Sequence, residues 1–326
     1  MRVLVTGATG FVGSNLVAAL LDAGHDITVL TREASRYDGP SEVRVVEGNV
    51  LDPGSLRPAL DVDAAYYLIH SMGAGEDYAE RDRRAARIFS EAASEAGVDR
   101  VIYLGGLGAD RDSLSPHLRS RREVERVLGL GEYDLTVLRA AIIIGAGSVS
   151  FQLIRQLAGR LPVMITPKWV HTKCQPIAIA DVIGYLVGVL EAPETAGETY
   201  EIGGPDVLTY AEILRRTRAH LGGQLILVPV PVLTPRLSSW WIRFVTDVDP
   251  AVARPLIDGV KNSVVVTDHS IQDVLPRERL SFDEAVGEAL TVEAEADDGD
   301  GDGDDDAKPT RGGPTQRLRT LLGSRP

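Results

Sequence analysis

The chain is poor in cysteine, lysine and long apolar runs: it has one cysteine, Cys174, and four lysines among 326 residues. A single cysteine can form no internal disulfide and offers no cysteine cluster to a metal ion. We therefore expect no metal site and a reducing, cytoplasmic compartment. No apolar run approaches the ~20 residues that span a bilayer, and Arg2 leads directly into an apolar stretch. We expect neither a transmembrane helix nor a signal peptide.

Positive charge is also scarce, because 34 lysines and arginines stand against 47 aspartates and glutamates, giving a net charge of −13. This balance disfavours nucleic acid as a partner, since sequence-independent nucleic-acid binding needs a basic face. Acidic side chains concentrate at residues 293–306, where the Asp-Gly repeats lack the apolar residues that punctuate calcium-binding repeats. Residues 291–326 are therefore predicted to be an acidic disordered tail. The acid-rich, lysine-poor composition is typical of halophilic proteins, which concerns the environment rather than the function.

Short apolar stretches alternate with amphipathic helical stretches through the first half of the chain. Because strands separated by helices are joined by right-handed crossovers, this order predicts an α/β fold with a doubly wound parallel sheet. Ligands of such sheets bind at the carboxyl ends of the strands. The predicted strands are Val3–Val5, Asp26–Thr31, Val43–Glu47, Ala64–Ile69, Arg100–Leu104 and Leu135–Arg139.

A G-x-x-G-x-x-G turn, formed by Gly7, Gly10 and Gly13, lies between the first strand and a predicted helix, Phe11–Leu21. Glycines at these positions allow a tight turn, close approach of the backbone to a pyrophosphate, and packing of the helix on the sheet. The alternative is an ordinary glycine-rich turn between a strand and a helix. The position of the motif at the first strand favours a dinucleotide-binding turn.

Beyond residue 145 the alternation loosens, which predicts a substrate-binding domain over residues 146–290 beside a cofactor-binding domain over residues 1–145. Thr209 is predicted to cap a helix that runs to His220. The cluster of Trp240, Trp241 and Phe244 has three interpretations. Core packing is the one we favour; the others are an apolar substrate pocket and peripheral contact with a membrane.

Six motifs are spread along the chain: Thr6–Gly13, Gly48–Asp52, Tyr103–Gly106, Leu138–Ala141, Gln175–Val182 and Glu201–Pro205. Together they resemble the extended and atypical short-chain dehydrogenase/reductases, the superfamily that contains nucleotide-sugar epimerases and NmrA-like proteins. The resemblance includes the NADPH-binding accessory subunit of respiratory complex I. It implies a Rossmann fold that binds NAD(P)(H) and carries a smaller substrate domain, together with a small-molecule substrate.

The end of the second predicted strand indicates which cofactor is preferred. A carboxylate at this position would grip the ribose hydroxyls of NAD, but the chain has Thr31 followed by Arg32. A guanidinium can contact a 2′-phosphate in bidentate fashion, so we expect NADP(H) in preference to NAD(H), with a merely solvent-exposed Arg32 as the alternative. By resemblance, Asn49 and Val50 would flank the adenine, and His70 and Ser71 would lie beside the nicotinamide ribose. The complete set of cofactor-binding candidates is Gly7, Thr9, Gly10, Phe11, Val12, Gly13, Arg32, Asn49, Val50, His70 and Ser71.

The chain departs from the superfamily at the catalytic pair. Hydride-transferring members use Tyr-x-x-x-Lys, in which the lysine lowers the pKa of the tyrosine and holds the ribose. None of the nine tyrosines here precedes a lysine at that spacing, and the expected place reads His117-x-x-x-Arg121. In one interpretation, His117 is a general acid with a pKa near neutrality and Arg121 replaces the lysine. In the other, His117 is a polar residue at a helix start and Arg121 belongs to a solvated basic stripe with Arg119 and Arg122.

Two classes of function therefore remain open at this stage. The first is an epimerase-like oxidoreductase that uses NADP(H) on an unknown small molecule. The second is a redox-silent NADPH sensor or assembly factor, in which the cofactor has a structural role. The absent Tyr-Lys pair favours the second class, whereas the intact glycine motif and the extended substrate region favour the first.

Overall fold

The structure is a computed structural model that describes residues 1–71, 77–108, 114–160, 162–166, 168–229 and 247–299. Within these ranges, no helix combines the length and the apolar character needed to cross a membrane. The strands are β1 (Arg2–Thr6), β2 (Asp26–Thr31), β3 (Arg44–Glu47), β4 (Ala64–Tyr67), β5 (Arg100–Gly106), β6 (Asp134–Ala140), β7 (Ile143–Ile144), β8 (Val163–Thr166), β9 (Lys173–Cys174), β10 (Ile177–Ala178), β11 (Thr199–Ile202), β12 (Leu208–Thr209) and β13 (Ile226–Pro229). The helices are α1 (Phe11–Asp22), α2 (Pro53–Leu56), α3 (Tyr78–Ala96), α4 (Pro116–Leu128), α5 (Val149–Arg160), α6 (Ile179–Glu191), α7 (Tyr210–His220), α8 (Pro250–Gly259), α9 (Ile271–Val274) and α10 (Phe282–Gly299).

Seven parallel strands form the main sheet in the order β3-β2-β1-β4-β5-β6-β11. β1 lies between β2 and β4, with Thr6 opposite both Leu30 and Tyr67. The chain order therefore reverses between β1 and β4, which is the point where such sheets open a ligand crevice. The predicted doubly wound parallel fold is confirmed.

The two faces of the sheet are covered by different helices, as the alternation of side chains along a strand requires. Val3 and Val5 of β1 are fully buried in a cluster with residues of α1 and α6. Leu4, which points to the opposite face, is fully buried in a second cluster with residues of α3 and α4. Burial on both faces explains why these strands read as continuous apolar runs in the sequence.

The main sheet uses residues from both sides of the expected boundary at residue 145. β11 is its edge strand, and Thr199 there pairs with Val137 of β6. α6 packs on α1, and the Tyr66 hydroxyl donates a hydrogen bond to the Leu186 carbonyl at 2.7 Å. Part of the region expected to form the substrate domain therefore completes the main sheet, because β11 pairs with the open edge at β6 and α6 covers one face beside α1.

The remaining second-half elements pack around their own apolar core. This core includes Phe151 of α5, Ile213 of α7 and Phe282 of α10, together with the buried Cys174. Thr209 caps α7 as predicted, with its hydroxyl accepting from the Glu212 N–H in a capping box. Among the described residues no group of three histidines, cysteines or carboxylates is arranged to hold a metal ion.

Two expectations about the second half, the aromatic cluster and the acidic tail, concern residues that lie partly or wholly outside the described ranges. The cluster of Trp240, Trp241 and Phe244 lies outside them. Helix α10 continues into the segment expected to be a disordered tail, and Glu293 there pairs with Arg155 at 3.2 Å. This ion pair holds the beginning of the acidic stretch against α5. Residues 300–326 lie beyond the described part of the chain.

Candidate cofactor site and imidazole cluster

The turn after β1 holds its shape through glycine. Gly7 has a φ of +72°, and a Cβ placed there would lie 2.8 Å from the Leu68 carbonyl oxygen. The Gly10 N–H donates to the Gly7 carbonyl at 2.9 Å, and a Cβ on Gly13 would overlap that same carbonyl. The backbone therefore passes close to the end of β4, and larger residues could not follow this path.

The start of α1 is available to an anion. Gly10 occupies the N-cap position without a capping side chain, and the first turn contains no acidic residue. The Ser14 N–H donates to the Gly10 carbonyl at 2.9 Å, so the N–H groups of residues 11–13 precede the helical ladder. Unpaired N–H groups and the positive end of the helix dipole together fit a diphosphate.

The loops that follow β1, β2, β3 and β4 enclose a cavity of about 470 Å³, a size typical of ligand sites. Arg81 and Ala85 of α3 complete its wall. The predicted cofactor residues on this wall are Gly7, Thr9, Gly10, Arg32, Asn49, Val50, His70 and Ser71.

Three predicted cofactor residues do not line the cavity with their side chains. The Phe11 ring packs near Gly145, where an added Cβ would lie 2.9 Å from the Phe11 Cζ. Val12 packs on the apolar core between α1 and the sheet, and Gly13 is buried against the turn. These three residues can still contact a ligand through their backbone N–H groups at the start of α1.

The β2 end of the cavity is rich in arginine. Thr31 ends the strand without a carboxylate, and Arg32 and Arg36 both line the wall. Glu33 also lines it, but its carboxylate pairs with the Arg36 Nε at 2.7 Å. Sequence reasoning missed Arg36, although its position in the Arg-rich loop after Thr31 was a usable signal.

The loop after β3 is braced by its own polar groups. The Asn49 Oδ1 accepts from the Leu51 N–H at 3.0 Å, and the Asn49 N–H donates to the Ser55 hydroxyl at 2.9 Å. These bonds fix Asn49 and Val50 on the wall beside Arg32. The two predicted adenine neighbours thus lie at the same end of the cavity as the arginines.

A buried carboxylate organises the opposite, β4 end. Asp82 of α3 is 2% exposed; its Oδ2 lies 2.8 Å from the His70 Nδ1, and its Oδ1 accepts from the Ser71 N–H at 2.9 Å. An ionised carboxylate can only accept, so His70 carries its proton on Nδ1. The His70 Nε2 is then an acceptor; it is buried and has no hydrogen-bond partner among the described residues.

His117 and Arg121 of α4 adjoin this dyad. The His117 and His70 rings lie with centroids 5.2 Å apart, and the His117 Nδ1 is buried without a partner in the described part of the chain. The Arg121 guanidinium lies 5.9 Å from the centre of the Tyr103 ring. The cavity wall at this end is made by His70 and Ser71, with His117 packed against His70.

Burial decides the charge of both imidazoles. It lowers the pKa of His117 to about 3, and the cation of Arg121 acts in the same direction. Burial and Arg121 also lower the pKa of His70 to about 4, although Asp82 opposes the shift. Both rings are therefore neutral near pH 7. The expectation that His117 has a pKa near neutrality is not met, because the ring is largely removed from water.

The alternative prediction, a solvated basic stripe of Arg119, Arg121 and Arg122, is also wrong, because the three side chains are not equally exposed. Arg122 is only 6% exposed, pairs with Glu125 at 3.1 Å and donates to the Gly108 carbonyl at 2.8 Å. Arg119 is exposed, whereas Arg121 is partly buried over Tyr103. Neighbouring arginines on α4 thus face different environments, since successive helical positions differ by about 100° around the axis.

Asp82 was missed at the sequence level because it lies within the charged run Glu80–Arg84, which resembles a solvated helix face. Helical spacing contained the signal. Tyr78, Asp82, Ala85 and Phe89 recur at intervals of three and four residues, and all are buried. A carboxylate on the apolar stripe of a helix needs a buried partner, and here the partner is His70.

Comparison with known proteins identifies the family of the chain. The sequence model of the NAD(P)H-binding family matches residues 7–156. A ceramide reductase of Caulobacter vibrioides is 30% identical over 237 residues, which are 70% of this chain and 73% of that protein. The chain belongs to the atypical short-chain dehydrogenase/reductases.

Other members of the superfamily show the same fold and a range of named roles. A photosystem II assembly factor of Synechocystis is 26% identical over 252 residues, covering 75% of each chain. A nucleoside-diphosphate-sugar epimerase of Staphylococcus aureus superposes with a TM-score of 0.71 at 15% identity, covering 88% of this chain and 100% of that one. The family and NAD(P)-binding predictions are confirmed.

Proposed function

We propose that this short-chain dehydrogenase/reductase is an NADP(H)-dependent oxidoreductase that acts on a small molecule at the β4 end of the cavity. The observation that carries the proposal is the polarity of the cavity, with Arg32 and Arg36 on the wall at the β2 end and His70, packed against His117, at the β4 end. The reductase name of the Caulobacter relative supports the reaction class.

The preference for NADP(H) is supported by the arginines at the β2 end. A 2′-phosphate on the adenosine ribose would meet Arg32 and Arg36. The end of β2 has Thr31 in place of the carboxylate found in NAD-preferring enzymes, which would repel that phosphate. Glu33 offers little repulsion because Arg36 neutralises it. An NAD ribose, by contrast, would find no strand-end carboxylate to accept its hydroxyls.

A bound nicotinamide would supply the hydride, the residues of the chain would orient it and polarise the substrate carbonyl, and water would supply the proton that completes the reduction. The start of α1 holds the diphosphate through backbone N–H groups. His117, neutral because it is buried, donates a hydrogen bond to a substrate carbonyl, and Arg121 supplies a fixed positive charge where Tyr-x-x-x-Lys places its lysine. A neutral imidazole stabilises developing negative charge without first having to gain a proton.

A second candidate function is a redox-silent NADPH-binding sensor or assembly factor. The absence of Tyr-x-x-x-Lys and the low pKa of both imidazoles favour it, since neither His70 nor His117 stores a proton near pH 7. The Synechocystis relative, named as an assembly factor, shows that the superfamily includes such a role.

Two measurements distinguish these functions. Calorimetry with NADPH and NADH tests the cofactor, and NADPH consumption over a panel of aldehydes, ketones and enones tests the chemistry. We expect tight NADPH binding and turnover that is lost in His117→Ala but kept in His269→Ala, which alters an exposed histidine elsewhere. Binding with no turnover on any class would support the sensor. Turnover that survives in His117→Ala would remove His117 from the mechanism.

A further inference from the structure

The Asp82–His70 dyad gives a specific geometry to the expectation that His70 lies beside the nicotinamide ribose, and its interpretation rests on the cofactor part of the proposed function. Asp82 uses both carboxylate oxygens, one on the His70 Nδ1 at 2.8 Å and one on the Ser71 N–H at 2.9 Å. At 2% exposure, Asp82 is shielded from exchange with water. The dyad therefore holds one tautomer of His70 in one orientation.

The unused nitrogen of His70 needs a donor. Nε2 is buried and unpaired in the described structure, although His70 lines the cavity. A buried acceptor without a donor is unfavourable until a ligand supplies one. His117 packs against the His70 ring and Tyr78 meets its edge, so the ring cannot turn freely toward another partner.

The position of His70 in the sheet indicates which part of the cofactor would donate a hydrogen bond to its Nε2. Arg32 and His70 follow β2 and β4, which lie on opposite sides of β1. A dinucleotide crosses this point with one half on each side, so the adenosine half at Arg32 places the nicotinamide half at His70. In Tyr-x-x-x-Lys enzymes the lysine holds the ribose of that half, and this chain has no such lysine.

We propose that His70 accepts a hydrogen bond on Nε2 from a hydroxyl of the nicotinamide ribose, and that Asp82 is the positioning residue that fixes the required tautomer. The groups facing His70 are Asp82 and Tyr78 from α3 and His117 and Arg121 from α4. The Arg121 cation disfavours protonation of His70, and this keeps the Nε2 lone pair free.

The direct test is nitrogen NMR of the ¹⁵N-histidine-labelled full chain, with His70 assigned by the signals missing in His70→Gln. The probes are NADP⁺ and adenosine 2′,5′-bisphosphate, which contains the phosphorylated adenosine half but no nicotinamide ribose. We expect a protonated Nδ1 and a bare Nε2 in the free protein. NADP⁺ should shift the Nε2 resonance upfield, and adenosine 2′,5′-bisphosphate should leave it in place.

Asp82→Asn tests the positioning role. Since the Ser71 N–H needs an oxygen, the Asn amide oxygen should remain there and its NH₂ group should face the His70 Nδ1, which reverses the tautomer. We expect NADP⁺ affinity to fall about tenfold, the loss of roughly one hydrogen bond, with adenosine 2′,5′-bisphosphate affinity unchanged. Asp77→Asn, on the exposed start of the same helix, should change neither affinity.

The outcomes separate this inference from the function on which it rests. If the unaltered chain binds no NADP⁺, the cofactor proposal fails and this inference fails with it. If NADP⁺ binds tightly but the His70 Nε2 does not respond, or responds equally to both probes, the inference alone is overturned. Equal losses of both ligands in Asp82→Asn would reduce Asp82 to a structural role, even if the variant folds poorly.

Discussion

The rings of His70 and His117 lie with centroids 5.2 Å apart, and each presents a buried nitrogen that the described residues leave without a partner. Burial and the Arg121 cation disfavour a proton on either ring, and protons on both rings would set two buried charges against each other. The pair therefore links the stability of the fold to pH.

This link predicts that the folded state loses stability as the pH falls from about 6.5 to about 4. The unfolded chain protonates both histidines near pH 6.5, whereas in the folded state the pKa of His70 is about 4 and that of His117 about 3. Since the unfolded state binds more protons, the free energy of unfolding should drop by about 1.4 kcal/mol per pH unit per histidine. Denaturant unfolding at a series of pH values measures it.

The matched variants for this slope are His117→Gln and His269→Gln. The first removes a buried titrating ring, so the slope should decrease by about one proton. The second removes an exposed ring outside the imidazole pair and serves as the control. Identical slopes for His117→Gln and the unaltered chain would show that His117 does not resist protonation in the folded state.

Arg32→Ala should weaken NADPH binding by about tenfold to a hundredfold, because a charged hydrogen bond to the 2′-phosphate is lost. NADH, which lacks that phosphate, should bind almost as before. Arg57→Ala serves as control, since Arg57 is exposed and does not line the cavity. Calorimetry measures all the affinities. An equal loss for NADPH and NADH would contradict the proposed preference for NADP(H).

Gly7→Ala and Gly24→Ala separate backbone strain from steric overlap. Both glycines have a positive φ, +72° and +83°, but only at Gly7 would a Cβ meet another atom, the Leu68 carbonyl oxygen. We expect Gly24→Ala to cost about 1 kcal/mol and Gly7→Ala about 3 kcal/mol or more, with loss of NADPH binding. Thermal unfolding and calorimetry provide the two readouts. Similar costs at both positions would mean that the turn after β1 can relax.

Two glutamates of α4 test how burial changes the contribution of an ion pair to the free energy of unfolding. Glu125 is 13% exposed and contacts both Arg122 and Arg139, whereas Glu123 pairs with Arg83 at 41% exposure. Glu125→Gln removes the carboxylate charge that Arg122 and Arg139 share and should cost about 3 kcal/mol. Glu123→Gln should cost less than about 1 kcal/mol. Denaturant unfolding compares them, and equal costs would show that water reaches the Glu125 cluster.

The sequence predicted the first half of the fold well because its signals are local. Apolar runs at the observed spacing give β1 to β6, and glycine at three fixed positions marks the turn at Gly7. The cavity lining followed from the rule that ligands meet the ends of parallel strands. The amphipathic patterns of α3 and α4, Tyr78–Ala96 and Pro116–Leu128, are equally local.

What escaped the sequence depends on contacts between distant residues. Asp82 looked solvated within a charged run, and only the packing of α3 on the sheet brings it to His70. His117 seemed suited to titrate near neutrality until burial and Arg121 were known. The place of β11 in the main sheet depends on its pairing with β6, and no local pattern specifies which sheet a strand joins.

The position of β11 beside β6 means that the main sheet is built from two separate segments of the chain. Since the chain leaves the main sheet after β6 and returns to it as the neighbouring strand, the intervening segment is an insertion anchored at both ends. No single cleavage can release the nucleotide-binding half intact. A fragment ending near residue 145 would expose the backbone of β6 along an unprotected flank, and such flanks recruit other chains into aggregates.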